Sequence, residues 1–303
     1  MLSRFKNHII LNFIILIFGF TGILGKKISI EPAAIVWHRV FIAFVSLFFI
    51  MLILRSSFRV PSRGRFFQII GIGAVVGLHW VTFFKSVHLS TASFGVLCLS
   101  TTTLHVSWIE PLVMKRPFSW VEVGLSLLVV LGIYFVSHNF HGDQLTALYF
   151  GLFSALLAAI FSVYNAKFVR DTPAAVISLY EMGGATIAIA GMIAFSGNLN
   201  ANLFIMSGED FFWLTILGTV CTSFAFLMIV IVTKKLGAFT VSLSINLEPV
   251  YTLILGILIL NENQVLNQRF YIGAVLIVGV VFLNAFIKPS YKSNKTVQDS
   301  DKS

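Results

Sequence analysis

The sequence predicts an all-α membrane protein with ten transmembrane helices, arranged as two inverted five-helix repeats around a central cavity. Three observations lead there. The 303 residues are 57% hydrophobic and only 11% charged, with a mean hydropathy of +0.93, whereas a soluble domain carries about 25% charged residues. The basic residues collect in alternate segments between apolar runs. Short stretches of the first half also recur in the second at a nearly constant offset.

A bilayer crossing takes roughly 20 apolar residues. On that measure the spans fall at about 8–25, 33–54, 66–84, 91–114, 119–138, 145–167, 174–196, 211–233, 238–260 and 270–288. The first follows Arg4 and Lys6 as a signal peptide would, but no small-residue cleavage site and soluble domain come after it, so it is kept as a span. The second and seventh open just after Pro32 and Pro173. Gly73 and Gly77 in the third span, and Gly19, Gly22 and Gly25 in the first, are small residues at spacings that let helices approach closely. The ninth carries Glu248-Pro249 at its middle, where proline is expected to remove one helical hydrogen bond and kink the helix. The repeats cover 1–138 and 145–288, joined by a linker at 139–144. The polar stretch 289–303 has no periodicity and reads as a disordered tail.

Charge gives the orientation. With the N-terminus cytoplasmic, sixteen Lys and Arg residues lie in inner segments and four (Lys26, Lys27, Lys85 and Arg269) in outer ones, Arg39 inside a span completing the 21. Both termini are therefore expected in the cytoplasm, with the chain a multi-pass protein of the cell (inner) membrane. The net charge of +9 serves lipid headgroups and topology, not nucleic acid, because no basic face is built. Cys98 and Cys221 fall inside apolar runs and read as small core residues without a disulfide.

The repeat is read from matched residues. Lys26 with 31–36 (EPAAIV) matches Lys167 with 172–177 (TPAAVI), offset by 141; Leu89 and Leu236 open the fourth and ninth spans, offset by 147. Gly124 and Gly273 open the fifth and tenth, offset by 149. Five being odd, the two halves must enter the membrane from opposite sides, the architecture that places a transporter's site at the repeat interface near the midplane.

Trp37-His38-Arg39 with Ala43, the 89–96 run (LSTASFGV), and Leu247-Glu248-Pro249-Val250 through Leu260-Asn261-Glu262 to Gly273 together resemble the EamA family of the drug/metabolite transporter superfamily. The resemblance covers both halves. It departs at Thr102 and Lys115, which stand where Pro249 and Glu262 stand in the second half, and the 262–273 spacer is two residues longer than its counterpart. The resemblance implies ten spans, a central cavity, and movement of small metabolites without ATP.

Glu248 leads the site candidates, since a carboxylate at membrane depth costs about 2.5–3.5 kcal/mol and needs water or a partner. It is read as a contact for a substrate amine, as a protonatable coupling group, or as a neutral acid bonded to a neighbouring helix. Ser244 and Thr252 share its face, and Asn246 is near. Ser100, Thr103, Ser107 and Glu110, at intervals of three, four and three, make a polar stripe in the fourth span, widened by Thr101, Thr102 and His105, that must face protein or water. His79-Trp80, Tyr164 and Asn165 complete the substrate or cavity set. Arg39, Glu110 and Glu181 are read as gating or structural charges, Arg39 snorkelling to the outer surface unless it binds a substrate carboxylate, and Glu110 near the headgroups beside Lys115. His138 and His141 lack further ligands, so no metal site is expected, and no cofactor beyond coupling to protons.

The function these readings favour is a secondary transporter of small metabolites, amino acids or related amphoteric compounds, working by alternating access. The alternatives are a channel-like or other solute-permeation protein and an integral-membrane enzyme. The chain has no nucleotide-binding P-loop, no H-E-x-x-H and no G-x-S-x-G, which speaks against the enzyme. The partners expected are a small-molecule substrate and membrane lipid.

Overall fold

The computed structural model describes residues 2–137, 142–196, 205–245, 247–280 and 283. Along it run α1 (Leu2–Lys27), α2 (Pro32–Ile53), α3 (Arg63–Leu89), α4 (Ala92–Leu99), α5 (Thr102–Met114), α6 (Trp120–Ser137), α7 (Asp143–Phe168), α8 (Ala174–Phe195), α9 (Gly208–Gly218), α10 (Ala225–Leu236), α11 (Ala238–Ile245) and α12 (Glu248–Leu260). A further helix, α13, covers Gln268–Val280. A six-residue π-turn, Thr219–Phe224, joins α9 to α10. Among the described residues nine segments are long and apolar enough to cross a membrane, with Ala92–Met114, Gly208–Leu236 and Ala238–Leu260 each counted as one crossing. α13 is shorter than that measure, and the rest of the expected tenth span, like the tail and His138 and His141, lies outside the described residues.

Local chemistry sets the helix ends. The side chains of Ser62, Thr91 and Ser207 each accept a hydrogen bond from the backbone N–H three residues on, at 3.1, 3.1 and 3.0 Å, filling donors that a helix start leaves open. α5 and α12 end in left-handed turns at Lys115 (φ 52°) and Asn261 (φ 53°).

One expectation is corrected. Pro249 does not kink a continuous ninth span: α11 ends at Ile245, and Pro249 is the second residue of α12. At that position no helical bond is lost, because the first turn's N–H groups have no acceptor anyway. The fourth span is broken likewise between α4 and α5, where Thr102 takes the place of Glu248-Pro249 as the helix start.

Packing runs mainly between the halves. α3 lies along α7 and α8, α2 along α8, α1 along α12, and α5 along α7. α3 and α8 meet backbone to backbone: a Cβ on Gly73 would strike the Glu181 carbonyl, and one on Gly184 the Ile70 carbonyl. The rings left outside, such as Phe41, Phe49 and Phe67, suit acyl chains.

The two ends of the bundle are clamped. At the Lys26 end, the Asp210 carboxylate accepts from Ser29 N–H (2.9 Å), Ser29 Oγ (2.8 Å) and Ser207 Oγ (2.9 Å), tying the α1–α2 turn to the start of α9. Nearby, Glu262 accepts from Ala92 N–H (2.8 Å), Ser93 N–H (3.2 Å) and Ser93 Oγ. An acid on the opening N–H groups of α4 is held by both hydrogen bonding and the helix dipole. At the other end Arg65 pairs with Asp171. Burial works against the Asp171 charge, but the Thr172 hydroxyl and the Arg65 guanidinium outweigh it and hold the carboxyl below its usual range.

Three stability outcomes follow. Gly73→Ala should destabilise the protein by about 1–3 kcal/mol, because a backbone carbonyl cannot step aside. Gly71→Ala, where an added Cβ meets nothing within 4 Å, should be neutral or slightly stabilising. Asp210→Ala should cost about 1.5–3 kcal/mol. Thermal unfolding in detergent measures all three, and equal midpoints for the Gly73 and Gly71 variants would contradict the packing described.

Candidate functional site

Between the helices lies a cavity of about 110 Å³, walled by α1, α2, α3, α4, α5, α7, α10, α11 and α12. Water needs only about 10–15 Å³ measured this way, so several waters or part of a solute fit. Most of the wall is apolar, with Phe18, Phe83, Phe161 and Phe226 prominent; Thr21, Arg39, His79, Thr102, Ser162, Asn165, Thr233 and Glu248 bring polar groups to it.

Arg39 is the wall's cation. It belongs to the face of α2 that also buries Ile35, Val36, Val40 and Ala43, and only 1% of it is exposed. It does not snorkel to the surface, because its guanidinium is engaged inside. The guanidinium carbon sits 3.9 Å from the centre of the Trp80 ring, a cation–π contact that strengthens where water is absent. Nε donates to Thr222 Oγ1 at 2.6 Å, and the Thr222 hydroxyl in turn donates to the Leu217 carbonyl at 2.6 Å. That carbonyl lies five residues back, within the register disturbed by the π-turn, so the turn and the arginine share one acceptor chain. Arg39 Nη1 has no hydrogen-bond partner among the described residues.

Glu248 stands at the first turn of α12 and is 4% exposed. Both Glu248 and Arg39 line the cavity, yet no ion pair joins them among the described residues. Thr21 Oγ1, on α1, is likewise buried without a partner. The cavity thus holds a buried cation and a buried acid on different helices, in one wall with the rings of Trp80, Phe161 and Phe226.

The other residues singled out from the sequence divide. His79 reaches the wall and is held by Ser154, its Nδ1 lying 2.9 Å from the Ser154 carbonyl and 2.8 Å from its hydroxyl. Trp80, Thr102 and Asn165 also line the cavity; the Thr102 hydroxyl donates to the Ala155 carbonyl at 3.3 Å. Ser100, Thr103, Ser244 and Tyr164 are not wall residues. The hydroxyls of Thr103 and Ser244 bond back to the carbonyls of Ser100 and Thr240, at 3.1 and 2.9 Å. Ser100 Oγ is buried with no partner among the described residues, and Tyr164 packs on Phe168. Asn246 lies outside the described residues.

Glu110 is away from the cavity, paired with Arg116 at 3.1 Å; the left-handed turn at Lys115 brings Arg116 back to it, and Arg116 also holds Glu122. Glu181 accepts from Asn165 Nδ2 at 3.2 Å. Thr222, Phe161 and Phe226 were not singled out from the sequence. The small polar cluster Thr219, Cys221, Thr222 and Ser223 in an otherwise apolar span was the signal for Thr222; the two phenylalanines are indistinguishable from their many lipid-facing counterparts.

Comparison with known proteins gives these positions a family. A solved crystal structure, one of 26 similar chains, superposes with a TM-score of 0.69 over 94% of this chain and 98% of its own, at 17% identity, a likeness of fold. No curated protein matches the sequence. The model of the EamA-like transporter family matches residues 8–138 and again 145–286, nearly the whole chain in two repeats. The chain belongs to the EamA-like transporter family, and is a multi-pass membrane transporter of the drug/metabolite superfamily.

Proposed function

We propose that this chain is a secondary transporter carrying small amphoteric metabolites, amino acids or close relatives, by alternating access. The observation that carries the reading is the cavity in which Arg39 and Glu248 are both buried and not paired with one another. A lone buried charge at membrane depth is costly; Arg39 and Glu248 feel each other across the hollow without touching, an arrangement that favours a ligand bringing a counter-charge to each. Arg39 Nη1 takes the carboxylate, Glu248 the ammonium, and the rings of Trp80, Phe161 and Phe226 the apolar body.

Ten spans in two inverted five-helix repeats fit this reading. The breaks between α4 and α5 and between α11 and α12 fall at positions about 147 apart, matching the sequence offset (Thr102 and Pro249). Interrupted spans at corresponding places of the two halves are where transporters of inverted design put their sites. The Lys26 end faces outward from the cell membrane, with both termini in the cytoplasm. Glu262 on the α4 start then belongs to the outer closure, which parts when the cavity opens to that side.

Purified protein in liposomes should show saturable counterflow of a labelled amino acid from a mixed panel. Flux rising linearly with concentration would indicate a channel, and absence of flux for the whole panel would defeat the substrate class. Arg39→Gln and Glu248→Gln should each cut transport on the order of 10–100-fold, the worth of a charged hydrogen bond of about 1.5–3 kcal/mol. Unchanged transport in either would remove that residue from the site. In a background with Cys98 and Cys221 replaced, a cysteine at Thr102 should react faster with an impermeant thiol reagent from outside once Glu262 is changed to Ala. Equal rates would take Glu262 out of the gate.

A further inference from the structure

Behind the cavity wall lies a second group of polar atoms that the substrate reading does not use. Glu181 is 0% exposed, and of its two carboxyl oxygens only Oε2 has a partner, Asn165 Nδ2 at 3.2 Å. Its Oε1, the Asn165 Oδ1 and the hydroxyl of Ser178, one turn earlier on α8, are all buried and have no partner among the described residues. A carboxyl oxygen and an amide oxygen without donors, on two side chains already in contact, mark a place that is short of hydrogens. Asn165 itself is a wall residue of the cavity, so it stands between Glu181 and whatever occupies the hollow.

Among the described residues no cation pairs with this carboxyl. From α7 Glu181 meets Asn165; Lys167 of that helix lies 5.9 Å over the Tyr164 ring. From α3 it meets Gly73, whose missing side chain lets the backbones touch. The charged and titratable groups of α3 are engaged elsewhere or sit at its ends: Arg65 on Asp171, His79 on Ser154, His88 on the Phe84 carbonyl, with Arg63 and Lys85 towards the termini. On α2, Arg39 binds Thr222 and His38 the Ala34 carbonyl. On α10 the cations Lys234 and Lys235 fall in the last turn. On α8 itself, Tyr180 donates to the Phe58 carbonyl.

We propose that Glu181 and Asn165 form a proton-binding site annexed to the cavity, Glu181 holding one exchangeable proton and Asn165 controlling its access to cavity water. An acid without a cation in such surroundings holds its proton in preference to a bare charge. Rotation of the Asn165 side chain opens the acid to the cavity. The O–H bond of Glu181 then breaks, its electron pair stays on the carboxylate, and the proton passes to a water. The carboxylate left behind is met by Asn165 Nδ2–H when that side chain turns back to it. Placed beside the substrate pocket but outside it, the site lets proton release and substrate occupancy influence one another through a single side chain. This step rests on the transporter reading, but its test does not use transport.

The test is infrared difference spectroscopy of the purified full-length protein, titrated with pH and with no substrate added. The wild type should show a carboxylic C=O band that is lost as the pH rises. The same band should persist in Glu248→Gln and lose one carboxyl's amplitude in Glu181→Gln. Asn165→Ala should shift its frequency, because the hydrogen bond to Oε2 is gone. Should Glu181→Gln fail to fold, the Asn165→Ala shift decides. Undiminished amplitude in Glu181→Gln, no shift in Asn165→Ala, or a Glu181 band constant at every pH where the protein stays folded would each overturn the proposal. Absence of counterflow in liposomes with the band behaving as stated would instead count against the transport reading alone.

Discussion

A guanidinium with almost no exposed surface is the constraint around which this membrane bundle is arranged. Arg39 cannot be discharged easily and cannot reach a headgroup, so protein must replace its water. Trp80 supplies a ring face and Thr222 an oxygen. Supplying that oxygen engages the π-turn of the eighth crossing, whose wider register leaves a carbonyl for the Thr222 hydroxyl to satisfy. π-turns within α-helices often occur at functional sites. Here the reason is visible, since the distortion and the charge solve each other's hydrogen-bonding problem.

The same demand explains why so few of the polar residues lie in the cavity wall. In lipid, a hydroxyl with no water finds the carbonyl one turn back, as Ser46 and Thr186 do. Such residues look functional on a helical wheel and are chemically silent. The informative side chains are those that reach another helix, as His79 does to Ser154 and Asn165 to Glu181. Equally informative are those left without a partner against a hollow, as at Thr21 and Arg39.

Hydropathy alone made the membrane class and most crossings legible, because length and apolarity are what a bilayer selects. The positions of Glu248, Arg39, His79 and Trp80 were also legible as costly residues at depth. Which of them share a cavity was not, since that depends on the rotation of each helix, and the apolar faces of lipid-exposed helices carry no clear period. Pro249 shows a second limit. Its effect on the chain depends on whether a helix already runs through it or begins at it, and the Glu248-Pro249 pair reads the same in both cases. Asp210 went unnoticed because an acid at a span's edge is ordinary until Ser29 is seen to bring two donors to it.

The halves of this molecule interlock instead of standing side by side. α3 of the first lies against α7 and α8 of the second, α1 against α12, and both apolar clusters draw residues from each half. A nascent chain released from the ribosome after its fifth helix therefore has Gly73 facing lipid where Glu181 belongs, and no partner for much of α3. The first half must wait, unassembled in the bilayer, until the second has been threaded in. Biogenesis is thus where this architecture is most exposed to proteolytic quality control, long before any solute is carried.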